Sequence, residues 1–381
     1  MSNYRIVKIS ECCTGINRGI APNYVENGVP VINQKCIRDG KIDMTLCKHT
    51  SPEQNIKPEK YAKKGDILVN STGTGTLGRV AIYRGENMFP VDGHVTILHV
   101  KNENSSFFLG YYLHSIEPLI ENLGRGSTNQ MELSVRDLGR IKIFLPNYDT
   151  QKKVAGIISA YDELIENNQK RITLLEIIAQ ELYKEWFVRF RFPGHETTEF
   201  ENGLPVGWYY GRFNEYLKYV TGKLDSNAAC ESGPYSFYTC SKKILKTNTF
   251  CFDGECVLLG GNNATGDFPL FYANEKLDAY QRTYIITPSN SRLNCMYVFF
   301  ILKDYLRHFK TASIGATTKF LTKQILDRVK ILIPGLKIMA LYNKITRPMF
   351  DLMVNLNKQN EKLMLQRDLL LPRLMNGSLE V

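Results

Sequence analysis

"LGRIKIFLP" (Leu138–Pro146) and "LDRVKILIP" (Leu326–Pro334) are one phrase written twice, 188 residues apart. A long internal repeat dictates architecture before any local reading does. The match continues upstream. "GSTNQMEL" (Gly126–Leu133) answers "GATTKFL" (Gly315–Leu321) with one residue slipped, and "GDILVNSTGTGTLGRVAIY" (Gly65–Tyr83) finds a weaker partner in "GECVLLGGNNATGDFPLFY" (Gly254–Tyr272). The order of elements is preserved, so each half reads as a mixed module of short strands, turns and a few helices, followed by a proline and a long helical stretch.

The first helical stretch runs from about Asp149 to Phe187, with apolar residues at Val154, Ile158, Tyr161, Ile165, Ile172, Leu175, Ala179, Leu182 and Trp186 and Asn168 filling one polar seam position. Steps alternating between four and three over several heptads predict a coiled-coil seam on the order of 55–60 Å long. The second stretch repeats the rule with Ile338, Tyr342, Ile345, Met349, Leu352, Leu356, Leu363 and Leu370, and with Gln359 and Gln366 as polar seam positions. Pro348 interrupts it and predicts a break or kink, with a fresh helix starting there. The two seams most simply satisfy each other as an antiparallel pair. The expected fold is therefore α+β: two similar mixed α/β domains separated by two long helices forming an antiparallel coiled coil, with pseudo-two-fold symmetry. Two separate helices, each packed on its own module, are the alternative.

The 381 residues suit two or three compact domains, and 48 Lys and Arg against 38 Asp and Glu give a net charge of +10. That surplus fits either a polyanionic partner or plain solubility. The start "MSNYRIVKISECC" carries no apolar signal region and no segment is apolar enough to span a membrane, so a cytoplasmic protein without a membrane partner is expected. Nine irregularly spaced cysteines suit reduced thiols, and neither they nor the six histidines show metal-ligand spacing. No metal and no cofactor are expected.

Gly73, Gly75 and Gly78 stand in the order GxGxxG, which in a nucleotide fold must open a helix. Here Arg79, Val80, Ala81, Ile82 and Tyr83 follow, a β-branched and aromatic run that predicts a second strand. The glycines then join two strands, and a cofactor-binding enzyme using the Gly73–Gly78 loop stays only as the alternative. A purely structural dimerisation scaffold ranks third, since it leaves the polar loops and the basic surplus without a role.

Two related modules on a rigid spacer suit the reading of two DNA half-sites a fixed distance apart. In the first module the candidate contacts are Asn70, Thr72, Thr74, Arg79, Arg125, Ser127, Thr128, Asn129 and Gln130. In the second they are Asn262, Asn263, Thr265, Lys310, Thr311, Thr317, Thr318 and Lys319. Arg pairs bidentately with guanine and Asn or Gln with adenine, while Ser, Thr, Lys and backbone amides hold phosphates. Glycines let the backbone approach a phosphate closely.

With these phrases assembled, "KGDILVNSTGTGTLGRVAIY", "LGRIKIFLPNYDTQKKVAGIISAYDELIENNQKRITLLEIIAQELYKEWF" and "RDLLLPRLMNG" (Arg367–Gly377), the chain resembles the specificity subunits of type I restriction-modification systems over essentially its whole length. The resemblance implies two target-recognition domains, at residues 1–146 and 206–334. It also implies two conserved helical spacers, at 147–190 and 335–381, with a linker at 191–205. It implies a non-catalytic subunit that reads a bipartite target in double-stranded DNA, one half-site per domain, with the helices setting the gap. Two methyltransferase subunits, and two restriction-translocation subunits in the full complex, are the implied partners. S-adenosylmethionine and ATP belong to those partners. The second helical region departs from the pattern in being poorer in charge and in carrying Pro348. Neither a methyltransferase NPPY or DPPY box nor a Walker loop is present, and the acids Asp162, Glu163, Glu181 and Glu185 read as a solvated helix face.

Overall fold

The computed structural model describes residues 4–126, 131–315 and 317–381. They form two compact units, Met1–Glu166 with Asn360–Val381, and Asn167–Gln359. Each unit holds one α+β module together with a part of each long helix.

Each module begins and ends on the same strand pair. In the first, Arg5–Lys8 runs antiparallel to Lys142–Leu145, with Arg5 opposite Leu145. In the second, Tyr209–Arg212 runs antiparallel to Lys330–Ile333, with Tyr209 opposite Ile333. These closing strands lie in the duplicated phrase. A single helical turn follows each opening strand, Ile9–Cys12 or Phe213–Tyr216, and its start is fixed in the same way. Glu11 accepts from the Lys8 N–H and Glu215 from the Arg212 N–H, both at 3.0 Å, so the orphan amides of the turn are satisfied twice by one device.

The sheets repeat too. The first module orders its strands Val80–Ile82, Ile67–Asn70, Val95–Val100, Cys13–Arg18, all antiparallel. The second has the same succession in Leu270–Ala279, Phe252–Gly260, Thr283–Pro288 and Leu217–Thr221. It then adds Tyr235–Tyr238, parallel to Leu270–Ala279, and Leu245–Thr247. The continuous apolar run Ile67-Leu68-Val69 is explained by burial on both faces. Ile67 and Val69 pack with Leu98, Phe108, Val154 and Ile158, while Leu68 packs with Ile32, Cys36, Val95 and Ile97. Behind each sheet lies a helix capped by a side-chain oxygen: Ser105 for Ser106–Ser115 and Asn294 for Cys295–Ala312.

The central helix is Tyr148–Tyr183, continued by a wider turn over Lys184–Val188, and the C-terminal helix is Leu336–Met375. The anticipated seam of the central helix is buried or half-buried at every position, Asn168 included. In the first unit the two helices run antiparallel: Asn360 Nδ2 donates to the Ile165 carbonyl at 3.5 Å, and Arg367 meets Asp162 at 2.7 Å.

Two expectations for the C-terminal helix are corrected. Its inward line runs through Met339, Tyr342, Thr346, Phe350, Met353, Leu356, Asn360, Arg367, Leu371 and Leu374. The polar positions are therefore Asn360 and Arg367 rather than Gln359 and Gln366, which are exposed. Apolar residues lie on both sides of the true line, and periodicity alone chose a neighbouring phase. Nor does Pro348 break the helix, which is continuous through it. The missing hydrogen bond costs about 3 kcal/mol. Anchors on either side oppose a break: Arg347 pairs with Glu255 at 2.8 Å, Thr346 is buried, and the Phe350 ring lies 4.6 Å from that of Tyr272 and against Phe299 and Phe300.

Phe350→Ala is expected to lower the stability of the second unit by about 3–5 kcal/mol. Both tryptophans of the chain, Trp186 and Trp208, lie in that unit, so urea unfolding followed by their fluorescence measures it directly. A midpoint unchanged from the wild-type would contradict the anchoring role.

Candidate nucleic-acid interface

In the first module the strand Ile67–Asn70 ends in a loop whose root is tied on both sides. The Ser71 N–H donates to the His94 carbonyl, and the Ser71 carbonyl accepts from the Leu133 N–H, both at 2.8 Å. The loop then passes through Gly73, Gly75 and Gly78, all with positive φ, and re-enters the sheet as Val80–Ile82. At Gly78 the requirement is twofold: φ is +85°, and a Cβ would come within 2.9 Å of the Glu121 nitrogen. A strand and not a helix follows Gly78, so the glycines do not open the helix that the cofactor-loop alternative requires, and that alternative is corrected.

The segment after the short helix Glu117–Asn122 lies beside this loop. Arg125 and Glu132 exchange both backbone hydrogen bonds, and Glu132 bridges to Thr72. Arg125 projects outward, with 82% of its side chain exposed and Asp137 at 3.5 Å. Thr74 is exposed and Thr72 half-buried. Ser127, Thr128, Asn129 and Gln130 lie outside the described residues.

Asn70 is a correction. It is completely buried and its Nδ2 donates to the Gln34 carbonyl at 3.0 Å, so it supports the loop from beneath rather than standing on the surface. Its place at the end of a buried strand is the reason. Arg79 braces the loop, donating to the Gly75 carbonyl at 2.7 Å. Gln34 Oε1, Asn70 Oδ1 and Thr72 Oγ1 find no protein partner, which leaves acceptor capacity at the loop root.

The second module builds the same root. The Gly261 N–H donates to the Arg282 carbonyl at 2.7 Å, and the Gly261 carbonyl accepts from the Leu321 N–H at 2.8 Å. Beyond it, Asn262 and Asn263 pair with Phe320 and Lys319. The Asn263 side chain accepts from the amide of Thr265 at 2.8 Å, and the Thr265 hydroxyl lies within hydrogen-bond reach of both Asn263 and Asp267. Lys310 reaches Asp267 at 2.7 Å, and its ammonium holds that carboxyl below the usual range. Asn262, Asn263, Thr265, Lys310 and Lys319 are thus brought together. Thr317 is exposed and Thr318 half-buried on the adjoining turn, while Thr311 bonds back to Arg307 on the surface of its own helix.

Several residues of this surface escaped the sequence reading. Arg18 joins three segments, donating to the carbonyls of Gly93 and Leu133 and to Glu132 at 2.7–2.9 Å. Nothing local marks it, because its partners are 75 to 115 positions away. His94 and Arg282 occupy matched positions at the two loop roots, both exposed, His94 held by Asp92 and Arg282 stacked 5.0 Å over Phe320. The repeat spacing of 188 separates them too, and carrying it into "DGHVTI" and "YQRTYI" would have found the pair. The arrangement has polar and cationic tips on a fixed backbone and, among the described residues, no group of metal-binding side chains.

The sequence pattern described as "Type I restriction modification DNA specificity domain" matches residues 1–176 and again 205–363. The chain belongs to this family. It is a family of DNA recognition and not of catalysis. Among its relatives, the type I restriction enzyme MjaIX specificity subunit of Methanocaldococcus jannaschii is 27% identical over 357 residues, covering 84% of this chain and 78% of the relative. The HindI specificity subunit of Haemophilus influenzae is 21% identical, covering 84% and 88%. The crystal structure of the type I restriction-modification S subunit from M. genitalium has the same fold, with a TM-score of 0.63 at 17% identity over 98% of this chain and 96% of that one. The two matched segments of the specificity family contain the two loop roots. No helix among the described residues is long and apolar enough to cross a membrane.

Because Arg18 ties the first module's loop root to the segment around Leu133, Arg18→Ala is expected to cost about 1–3 kcal/mol. Amide exchange at Leu133 and Glu132 should quicken measurably. Unchanged protection there would show that Arg18 does not hold the surface together.

Proposed function

We propose that this specificity subunit reads a bipartite target in double-stranded DNA in the cytoplasm, one half-site per module, with the long helices defining the gap between half-sites. The observation that carries the reading is the duplicated loop root. Two modules of different sequence present their polar tips from backbone positions held by matching hydrogen bonds, Ser71 with His94 and Leu133, and Gly261 with Arg282 and Leu321.

In the first module the contacts we assign to DNA are Thr72, Thr74, Arg125 and His94, together with Ser127, Thr128, Asn129 and Gln130 from the sequence. In the second they are Asn262, Asn263, Thr265, Lys310, Thr317, Thr318 and Lys319, joined by Arg282. Thr311 contributes at its margin. Exposed cations position the phosphates and the amides and hydroxyls read base edges. Methyltransferase subunits, two per complex, dock on the helices, and two restriction-translocation subunits join them. Apolar side chains left exposed on the helices support docking: Leu174, Ile177 and Ile178 on the central helix, at one-turn spacing, and Leu365 and Leu369 on the C-terminal helix.

Binding to random duplex DNA, measured with the methyltransferase partner present, is expected to weaken steeply with salt, with a log–log slope of roughly −0.9 per phosphate contact. Arg282→Ala and Lys310→Ala should each reduce that slope by about one. No binding at low salt would overturn the DNA reading. For docking, the double change Ile177→Asp and Ile178→Asp should abolish co-purification of the methyltransferase, and full retention would move the docking surface elsewhere.

A further inference from the structure

Three sulfurs come together beneath the outer face of the first module's sheet. Cys36 Sγ lies 3.6 Å from Cys47 Sγ, and Cys47 Sγ lies 3.8 Å from Met44 Sδ. Cys36 is fully buried among Ile32, Ile37, Leu68 and Tyr83, whereas Cys47 sits half-buried at the rim of that cluster. The backbone around the two thiols is already drawn together. The Asp43 N–H donates to the Cys36 carbonyl at 2.8 Å, and Asn33 Nδ2 donates to the Leu46 carbonyl at 3.1 Å. Between them the chain turns through a short hairpin, Ile37–Arg38 against Lys41–Ile42. Joining the sulfurs therefore requires rotation of side chains and little movement of backbone.

We propose that Cys36 and Cys47 form a peroxide-responsive dithiol that closes to a reversible disulfide across the base of the 37–46 segment. Access to solvent assigns the two steps. Cys47 is the one reached from solvent. Its sulfur attacks one oxygen of hydrogen peroxide, the O–O bond breaks, the thiol proton leaves with the departing hydroxide as water, and Cys47 becomes a sulfenic acid. Cys36 is the resolving thiol. Its sulfur attacks the Cys47 sulfur, the S–S bond forms as the S–O bond breaks, and the Cys36 proton completes a second water. Two thiols and one peroxide give one disulfide and two waters, with two electrons passing from sulfur to oxygen.

Cys36 is set apart from the other buried thiols of the chain. The Cys47 side chain hydrogen-bonds to it and holds it below the ordinary thiol value, while that same hydrogen bond and burial push Cys47 up, so Cys36 is the better thiolate for the second attack and Cys47 is picked out for first oxidation by its access to solvent alone. Burial pushes Cys12 up to about 11 and Cys13 up to about 12, and raises Cys256 and Cys295 further. The position also has a consequence for the reading surface. Two residues before Cys36 stands Gln34, whose carbonyl receives the Asn70 side chain beneath the polar loop. A bond at Cys36 stiffens the support on which that loop rests.

The test uses the reduced full-length chain, treated with hydrogen peroxide at near-neutral pH, capped with a maleimide, digested and read by mass spectrometry. The expected product joins the peptides carrying Cys36 and Cys47, lighter by two hydrogens than their sum and separated by dithiothreitol. Cys47→Ser, a small change at a half-buried site, is expected to abolish that product while leaving the fold intact by circular dichroism. The cross-linked chain should also unfold at a higher temperature, by on the order of several degrees. The proposal is overturned if the exposed Cys251 oxidises to completion before any Cys36–Cys47 link appears, or if Cys47 proceeds to sulfinic acid unlinked. It is equally overturned if the link lowers the unfolding temperature.

Discussion

One backbone hydrogen bond, made twice, fixes where each module presents its polar loop. The Leu133 N–H reaches the Ser71 carbonyl and the Leu321 N–H reaches the Gly261 carbonyl, both at 2.8 Å. Each acceptor stands at the end of a strand buried on both faces, where an unpaired carbonyl would cost free energy. The bond forces the segment entering the duplicated phrase to lie beside the glycine loop. Because backbone atoms carry it, side chains around it are free to differ: Asn70-Ser71-Thr72 in one module, Gly260-Gly261-Asn262 in the other. A surface whose position is constant and whose chemistry varies is what a modular reader of DNA sequence needs.

The architecture was legible because it is repeated. The phrase ending at Pro146 and Pro334, and the strand after Gly78, gave the two modules and removed the nucleotide fold. The long helices followed from periodicity, and the buried Asn168 was located correctly. The phase of the second helix was not legible. Apolar residues flank both candidate lines there, and only tertiary partners choose between them: Ile165 and Asp162 for Asn360 and Arg367, Tyr272 and Phe299 for Phe350. The continuity of the helix through Pro348 has the same origin, a local penalty outweighed by contacts distant in sequence.

The candidate surface was legible only in outline. Residue type picked out the polar loops, but Asn70 shows what type cannot give. An amide at the last position of a buried strand points inward, and its partner Gln34 lies 36 residues away. Arg18 is the converse case, an arginine in an unremarked strand that ties together Gly93, Glu132 and Leu133. His94 and Arg282 lie between these extremes, since the repeat spacing contained them and only the backbone bonds showed that the spacing still held.

The central claim is that the two modules read independently, and the most direct test is methylome sequencing of a host expressing this chain with its methyltransferase, before and after residues 1–145 are replaced by those of a related subunit. The account predicts a two-part motif with a fixed gap, of which one half changes on replacement while the other half and the gap persist. A single uninterrupted motif, or the loss of both halves together, would contradict it.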